Sequence, residues 1–401
     1  MSPTRFSTAL LVAGALLPAL APAQNKNDPD QCPYCKGDPE QMKRAGVVSH
    51  GDFDFGKPEK TKKIDALLAT CDIKWIETAH FEIGFALGAY KVKQEDKEKI
   101  RGELARLAEV LPSVDPKEKI LEPWLRAHMF AQRAEDVYKR MQAILQVKDE
   151  QFPPPNTIWD RTGKYMGTGP HLGQSGKYEI LIVPSEANLT TYLQGQFGLL
   201  TKKTQRWNVT SADTLSVTMH CAEDNLRDDL GLHGHVAFNL AINLLDGFKH
   251  YSYDTPIWIR EGFGHFIERE IETKYNTFDS AEGGVAATTR KEKWEPEVRK
   301  LVAAGKGPRM AELMSMKEYS DLTLDRHYAT WSMVQFMVTT KPNEWAAFNG
   351  ALHGITNKQG IPHVENMPDV HRELFKQHLG WAYPDFDRAW SEWVLANYGA
   401  Q

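Results

Sequence analysis

His235, Asn239 and Asn243 are the only polar side chains in the run His-Val-Ala-Phe-Asn-Leu-Ala-Ile-Asn-Leu-Leu. Spaced i, i+4, i+8, they line one face of a helix. The run is apolar nearly all round, which predicts a buried helix over about residues 232–247. A buried amide left without a partner costs roughly 1–3 kcal/mol. The stripe must therefore face a polar cavity or a hydrogen-bonding neighbour.

The next helix, expected over about 256–272, is the natural neighbour. It opens with Pro256, as helix N-termini often do, and carries Glu261 and His265 at i, i+4, with Glu268 on the same side. Two antiparallel helices would bring His235, Asn239, Asn243, Glu261 and His265 into one cleft. The expectation is that Glu261 and His265 hydrogen-bond or ion-pair with the stripe, leaving a polar core satisfied without metal. The alternative is a metal site on His235, Glu261 and His265, two imidazoles and a carboxylate, for which zinc is the ion. His233 joins only if it precedes the regular helix, because residues i and i+2 point about 200° apart. His220 is a further candidate. Arg260, beside Glu261, could bind a ligand carboxylate, but a surface ion pair is expected.

Residues 230–272 resemble the peptidase-MA-like, or gluzincin, zinc metallopeptidases. In that family one helix carries His-Glu-x-x-His and a second begins Pro-x-Trp-x-x-Glu-Gly-x-Ala-x-Tyr, its Glu supplying the third zinc ligand. The second helix matches at Pro256, Trp258, Glu261 and Gly262. The likeness runs on weakly through Tyr328, Trp390 and Trp393, and back to Thr78, His80 and Phe81. It implies a zincin-like fold of class α+β, a small sheet with an active-site helix pair followed by a helical region. The first helix departs from the pattern. With His235 in the first ligand position, Val236 replaces the general base and Asn239 the second ligand. In the other register Asn239 and Asn243 replace both imidazoles and Leu240 the base. Neither Val nor Leu can take a proton from bound water, and Asn is a poor zinc ligand beside imidazole. No catalytic residue is intact, and Glu261 is the sole candidate. The resemblance therefore implies a pseudoenzyme that binds a peptide or protein or serves as a structural module of the cell envelope. A hydrolase with an atypical zinc site is the alternative.

The cysteines are Cys32, Cys35, Cys71 and Cys221. Cys32-Pro33-Tyr34-Cys35 has redox-dithiol spacing, but no helical pattern follows to hold a thiolate. A zinc knot on Cys32, Cys35, Cys71 and His80 is a second reading. The favoured one is structural disulfides, whose pairing the sequence leaves open.

The elements that must position these groups follow from periodicity. Residues 24–66 form a Pro-, Gly- and Lys-rich arm, irregular to about 63. Ile73, Trp75, Phe81, Ile83 and Phe85 fit period two and predict a strand or strand pair. Helices are expected at 94–111 and 117–147, a loop at 151–177, a strand over 178–184, a helix capped by Ser185, and a hairpin over 205–221. Further helices are expected at 294–304, 308–315, 326–340, 342–354, 369–379 and 384–397. This divides the chain into a leader (1–23), the arm (24–66), an α+β domain (67–275) and a helical domain (276–401).

Arg5, the apolar run Ala9–Leu20 and Ala21-Pro22-Ala23 have the layout of a secretory signal cleaved near Ala23. The mature protein is thus expected to be exported, periplasmic or extracellular. No later stretch reaches the roughly 18 apolar residues of a membrane helix. The net charge is −5, and Lys and Arg are spread along the chain, which speaks against nucleic acid.

Overall fold

The computed structural model describes residues 31–222, 224–252, 255–278, 291–362 and 365–399. The signal-like leader and its cleavage position lie outside them.

The arm contains a short helix α1 (Pro39–Arg44), a small ladder β1 (Asp54–Phe55) with β2 (Lys57–Lys60), and α2 (Thr61–Leu67). It is thus more regular than its composition suggested. Asp38 starts α1 by accepting from Gln41 N, and Pro39 fills the first turn. Next come β3 (Lys74–Glu77), β4 (Phe81–Phe85) and β5 (Tyr90–Lys91), then α3 (Lys97–Val110), β6 (Ile120–Leu121) and α4 (Pro123–Leu145). Glu122 caps α4 through the amides of Trp124 and Leu125, and Gln146 ends it in the left-handed region at φ 53°. The expected strand pair and both expected helices are present, although the second helix starts later than the sequence suggested.

β7 (Tyr178–Val183), α5 (Glu186–Phe197), β8 (Gln205–Val209) and β9 (Thr214–His220) complete the α/β part. Ser185 caps α5 by accepting from Asn188 N at 3.2 Å. The main sheet has five strands in the order β3-β4-β7-β9-β8. Its three inner strands are parallel, and both edge strands are antiparallel to their neighbours. Because side chains alternate across a strand, Ile180 and Ile182 join the large core, while Leu181 and Val183 join a smaller one with Phe53, Ile64, Leu189 and Tyr192. The later part of the arm, with Phe53 and Ile64, and α5 therefore share the smaller core's face of the sheet, while Cys32, Cys35 and Val47 of its earlier part join the large core.

α6 (Asp229–Asp246) and α7 (Ile257–Ile271) follow, then α8 (Glu295–Ala303), α9 (Met310–Met314), α10 (Leu324–Thr340), α11 (Pro342–Leu352), α12 (Met367–Leu374) and α13 (Tyr383–Asn397). The chain is thus mixed α and β. One apolar cluster runs from Cys32 to Tyr398 and includes Ala237 and Leu240 of α6, Phe263 of α7 and Val334 of α10. Among the described residues, no helix is long and apolar enough to cross a membrane.

Candidate functional site

α6 is buried along almost its whole length, as its composition predicts. Asp228 caps it by accepting from Leu230 N at 3.1 Å. The side of α6 that meets α7 is the apolar one. A Cβ placed on Gly264 of α7 would come within 2.8 Å of Phe238 and 3.1 Å of Ile242, so this crossing is close. His235, Asn239 and Asn243 sit one residue further along, about 100° round the helix. That turn aims them at the hairpin and the loop after α7.

The stripe is satisfied there. His235 Nε2 lies 2.8 Å from Thr204 Oγ1, and its Nδ1 lies 3.2 Å from Thr277 Oγ1. Asn239 Oδ1 accepts from the Arg206 guanidinium at 2.7 Å, while its amide donates to His235 O at 2.8 Å. Asn243 donates to Ser216 O of β9 at 3.2 Å. The expected direct pairing of this stripe with Glu261 and His265 gives way to bonding with β8, β9 and flanking threonines. One indirect link remains. Thr277 also donates its hydroxyl to Glu268 at 2.5 Å, and Glu268 lies 3.5 Å from His265 Nδ1.

Glu261 and His265 have a different partner, His327 of α10. His265 Nε2 lies 2.9 Å from His327 Nδ1. Glu261 Oε2 lies 3.7 Å from His327 Nδ1 and 3.9 Å from His265 Nε2. Exposure is 0% for Glu261 and His265 and 1% for His327. Phe238, Phe278 and Trp294 pack around the His265 ring. One ligand atom from each of Glu261, His265 and His327 falls within 4.8 Å of the others, a spacing that could hold a metal ion. The candidate set His235, Glu261, His265 is corrected accordingly: His327 takes the place that His235 was expected to fill.

The remaining candidates are placed as follows. His233 is buried beside Glu103, at 3.8 Å. Burial, and then the nearby Arg133 charge, pull its imidazole well below the usual range. Arg133 bridges Glu103 at 2.6 Å and Asp229 at 2.7 Å, and Arg126 reaches Asp229 at 3.1 Å, forming a buried ionic network at the start of α6. Burial pushes the Asp229 carboxyl up, but the two guanidinium groups outweigh it and hold it below its ordinary value. His220 bonds to Lys202 O at 3.1 Å. Arg260 does form the expected ion pair, with Asp246 at 2.9 Å, but in a largely buried setting.

The cysteine cluster also needs correction. All four cysteines are free thiols here. Cys32 and Cys35 are buried, but Cys71 does not join them; it lines a surface cleft with His50, Trp75 and Trp124. His80 stacks on Tyr138 and pairs with Glu135 at 2.7 Å and Asp149 at 3.2 Å. Burial lowers the His80 imidazole, yet the two carboxylates prevail and hold it above its usual range. The groups against the thiols are His50 and His128, which sequence reasoning missed. Cys32 Sγ lies 3.0 Å from His128 Nε2, and Cys35 Sγ lies 2.9 Å from His50 Nε2. A histidine 15 residues beyond Cys35 was the one legible signal; His128 sits in an ordinary amphipathic helix and carried none. Compared with known protein families and with curated proteins, the chain matches no family model and no individual sequence.

Proposed function

We propose that this chain is an exported, peptidase-MA-like module that binds a peptide or protein without cleaving it. One observation carries the reading. Where the family's second zinc-binding imidazole would stand, the Asn239 carboxamide is held by the Arg206 guanidinium at 2.7 Å. A fixed cation there opposes a second cation, and Val236, 2% exposed, offers no base beside it. The residues present therefore do not fit the zinc that the resemblance implies at His235. The five-stranded sheet with a buried helix laid on it agrees with a zincin-like arrangement. The test is hydrolysis of a mixed peptide library by the purified mature protein, with and without a chelator. No cleavage is expected; cleavage that the chelator abolishes would overturn the reading.

A second reading, a metal-dependent hydrolase, has the Glu261, His265 and His327 cluster in its favour. A catalytic metal must keep a position open for water and substrate. Exposures of 0–1% at all three residues suit a structural ion or a polar core better. The hydrolase reading requires metal that is lost in Glu261→Gln together with activity.

A further inference from the structure

The arm's two thiols face two imidazoles brought from distant parts of the chain. Cys32 and Cys35 come from the Cys-Pro-Tyr-Cys turn, His50 from the middle of the arm, and His128 from α4. One ligand atom from each lies within 4.8 Å of all the others. The thiols are 2% and 0% exposed, and His128 is 2% exposed. Lys36 N donates to Cys32 O at 2.9 Å and Asp38 N to Cys35 O at 2.8 Å. Lys36 and Gly37 both take positive φ, 53° and 63°. This tight turn sets both sulfurs on one side of the backbone.

The imidazoles are oriented for the same point. The ring planes of His50 and His128 are 87° apart with centroids at 5.8 Å, as two ligands of a tetrahedron can be. His50 Nδ1 lies 3.2 Å from Trp75 O, a backbone acceptor that fixes the proton on Nδ1 and leaves the Nε2 lone pair facing Cys35. The arm is itself docked on the sheet edge, where Val48 N donates to Glu77 O at 2.7 Å and Glu77 N to Ser49 O at 2.9 Å.

We propose that Cys32, Cys35, His50 and His128 bind one zinc ion in a structural site that pins the arm to α4. Two thiolates and two neutral imidazoles are the tetrahedral S2N2 set that zinc favours, at about 2.3 Å to sulfur and 2.0–2.1 Å to nitrogen. Two thiolates also cancel the ion's charge, which suits a buried position. Sulfur and nitrogen ligands so arranged sit about 3.5 Å apart, so binding widens the 2.9 and 3.0 Å contacts by roughly half an ångström. The two thiol protons leave to solvent as the metal enters. A redox dithiol fits less well, since its attacking thiol needs access and α1 begins only at Pro39. The site is independent of Glu261, His265 and His327.

The experiment is elemental analysis of the full mature chain, purified without chelator, together with its intact mass under denaturing, non-reducing conditions. About one zinc per chain and four alkylatable thiols after denaturation are expected. Cys32→Ser and His128→Ala should lose that zinc, and Glu261→Gln should keep it. His50→Cys, which rebuilds a zinc-competent ligand set, should retain it if the chain folds. Cobalt in place of zinc should give thiolate charge-transfer and tetrahedral ligand-field absorption. A mass two daltons short that maps to a Cys32–Cys35 disulfide, or a zinc-free wild-type chain that takes up no cobalt, overturns the proposal without any variant. Zinc that disappears in Glu261→Gln but persists in Cys32→Ser also overturns it, by moving the metal to the other cluster.

Discussion

His265 of α7 and His327 of α10 face each other at 2.9 Å, in a space where neither ring exceeds 1% exposure. At most one of the two nitrogens can donate, so the pair fixes a tautomer as well as a contact. Replacing His327 with Ala removes a ring that Glu261, His265 and Phe278 surround. A loss of about 2–4 kcal/mol is expected, combining a cavity with disturbed polar partners. Urea unfolding checks it, and a change under about 0.5 kcal/mol would show that the cluster does not hold α7 to α10.

The network at the start of α6 should be more costly to break. Asp229→Asn leaves Arg126 and Arg133 buried with one carboxylate fewer. Removing one partner of a buried ion pair costs about 3–5 kcal/mol. A denaturant midpoint unchanged from that of the parent chain would refute this.

Glu82 and Glu179 lie side by side in register on β4 and β7. Burial, and then the neighbouring Glu179 charge, push the Glu82 carboxyl up to about 8; burial raises Glu179 to about 7. Both folded-state values exceed the unfolded one, so their contribution to stability is complete below about pH 4.5 and fades as pH rises to about 8. Glu82→Gln should leave stability at pH 5 nearly unchanged and raise it at pH 8.5 by about 1–2 kcal/mol. Glu179→Gln should act alike, because its amide oxygen can still accept from Gly56 N. Parallel melting curves for parent and variants across that range would contradict the argument.

Rebuilding the peptidase motif tests Arg206. Val236→Glu with Asn239→His restores the family's ligand and base types, yet the new imidazole would meet the guanidinium that now contacts Asn239. No zinc beyond the parent chain's content is expected until Arg206→Ala is added. Uptake by the double variant alone would show that the guanidinium is no obstacle.

The local elements were legible because they rest on local signals. Ser185 and its helix, the hairpin, and the α6 and α7 spans all followed from caps, turns and period. The direction of the His235 stripe was not legible. α6 is apolar nearly all round, so periodicity could not choose between α7 and the hairpin as its neighbour. Gly264 settles the choice by letting Phe238 approach α7 closely. His327 was out of reach for another reason: it stands 62 residues from His265, inside a helix whose own pattern is satisfied without it. His50 and His128 were out of reach because contacts over 15 and 96 positions leave no periodic signature, and the zinc-knot reading took His80 in their place.

The contact between Cys32 and His128 spans 96 positions. A ribosome releases the chain N-terminus first, so the thiols emerge well before the imidazole that faces one of them. During that interval oxidant and metal compete for an unfinished pair of sulfurs. The proposed site is therefore complete only once α4 has folded, which makes the fastening of the arm an event later than its own synthesis.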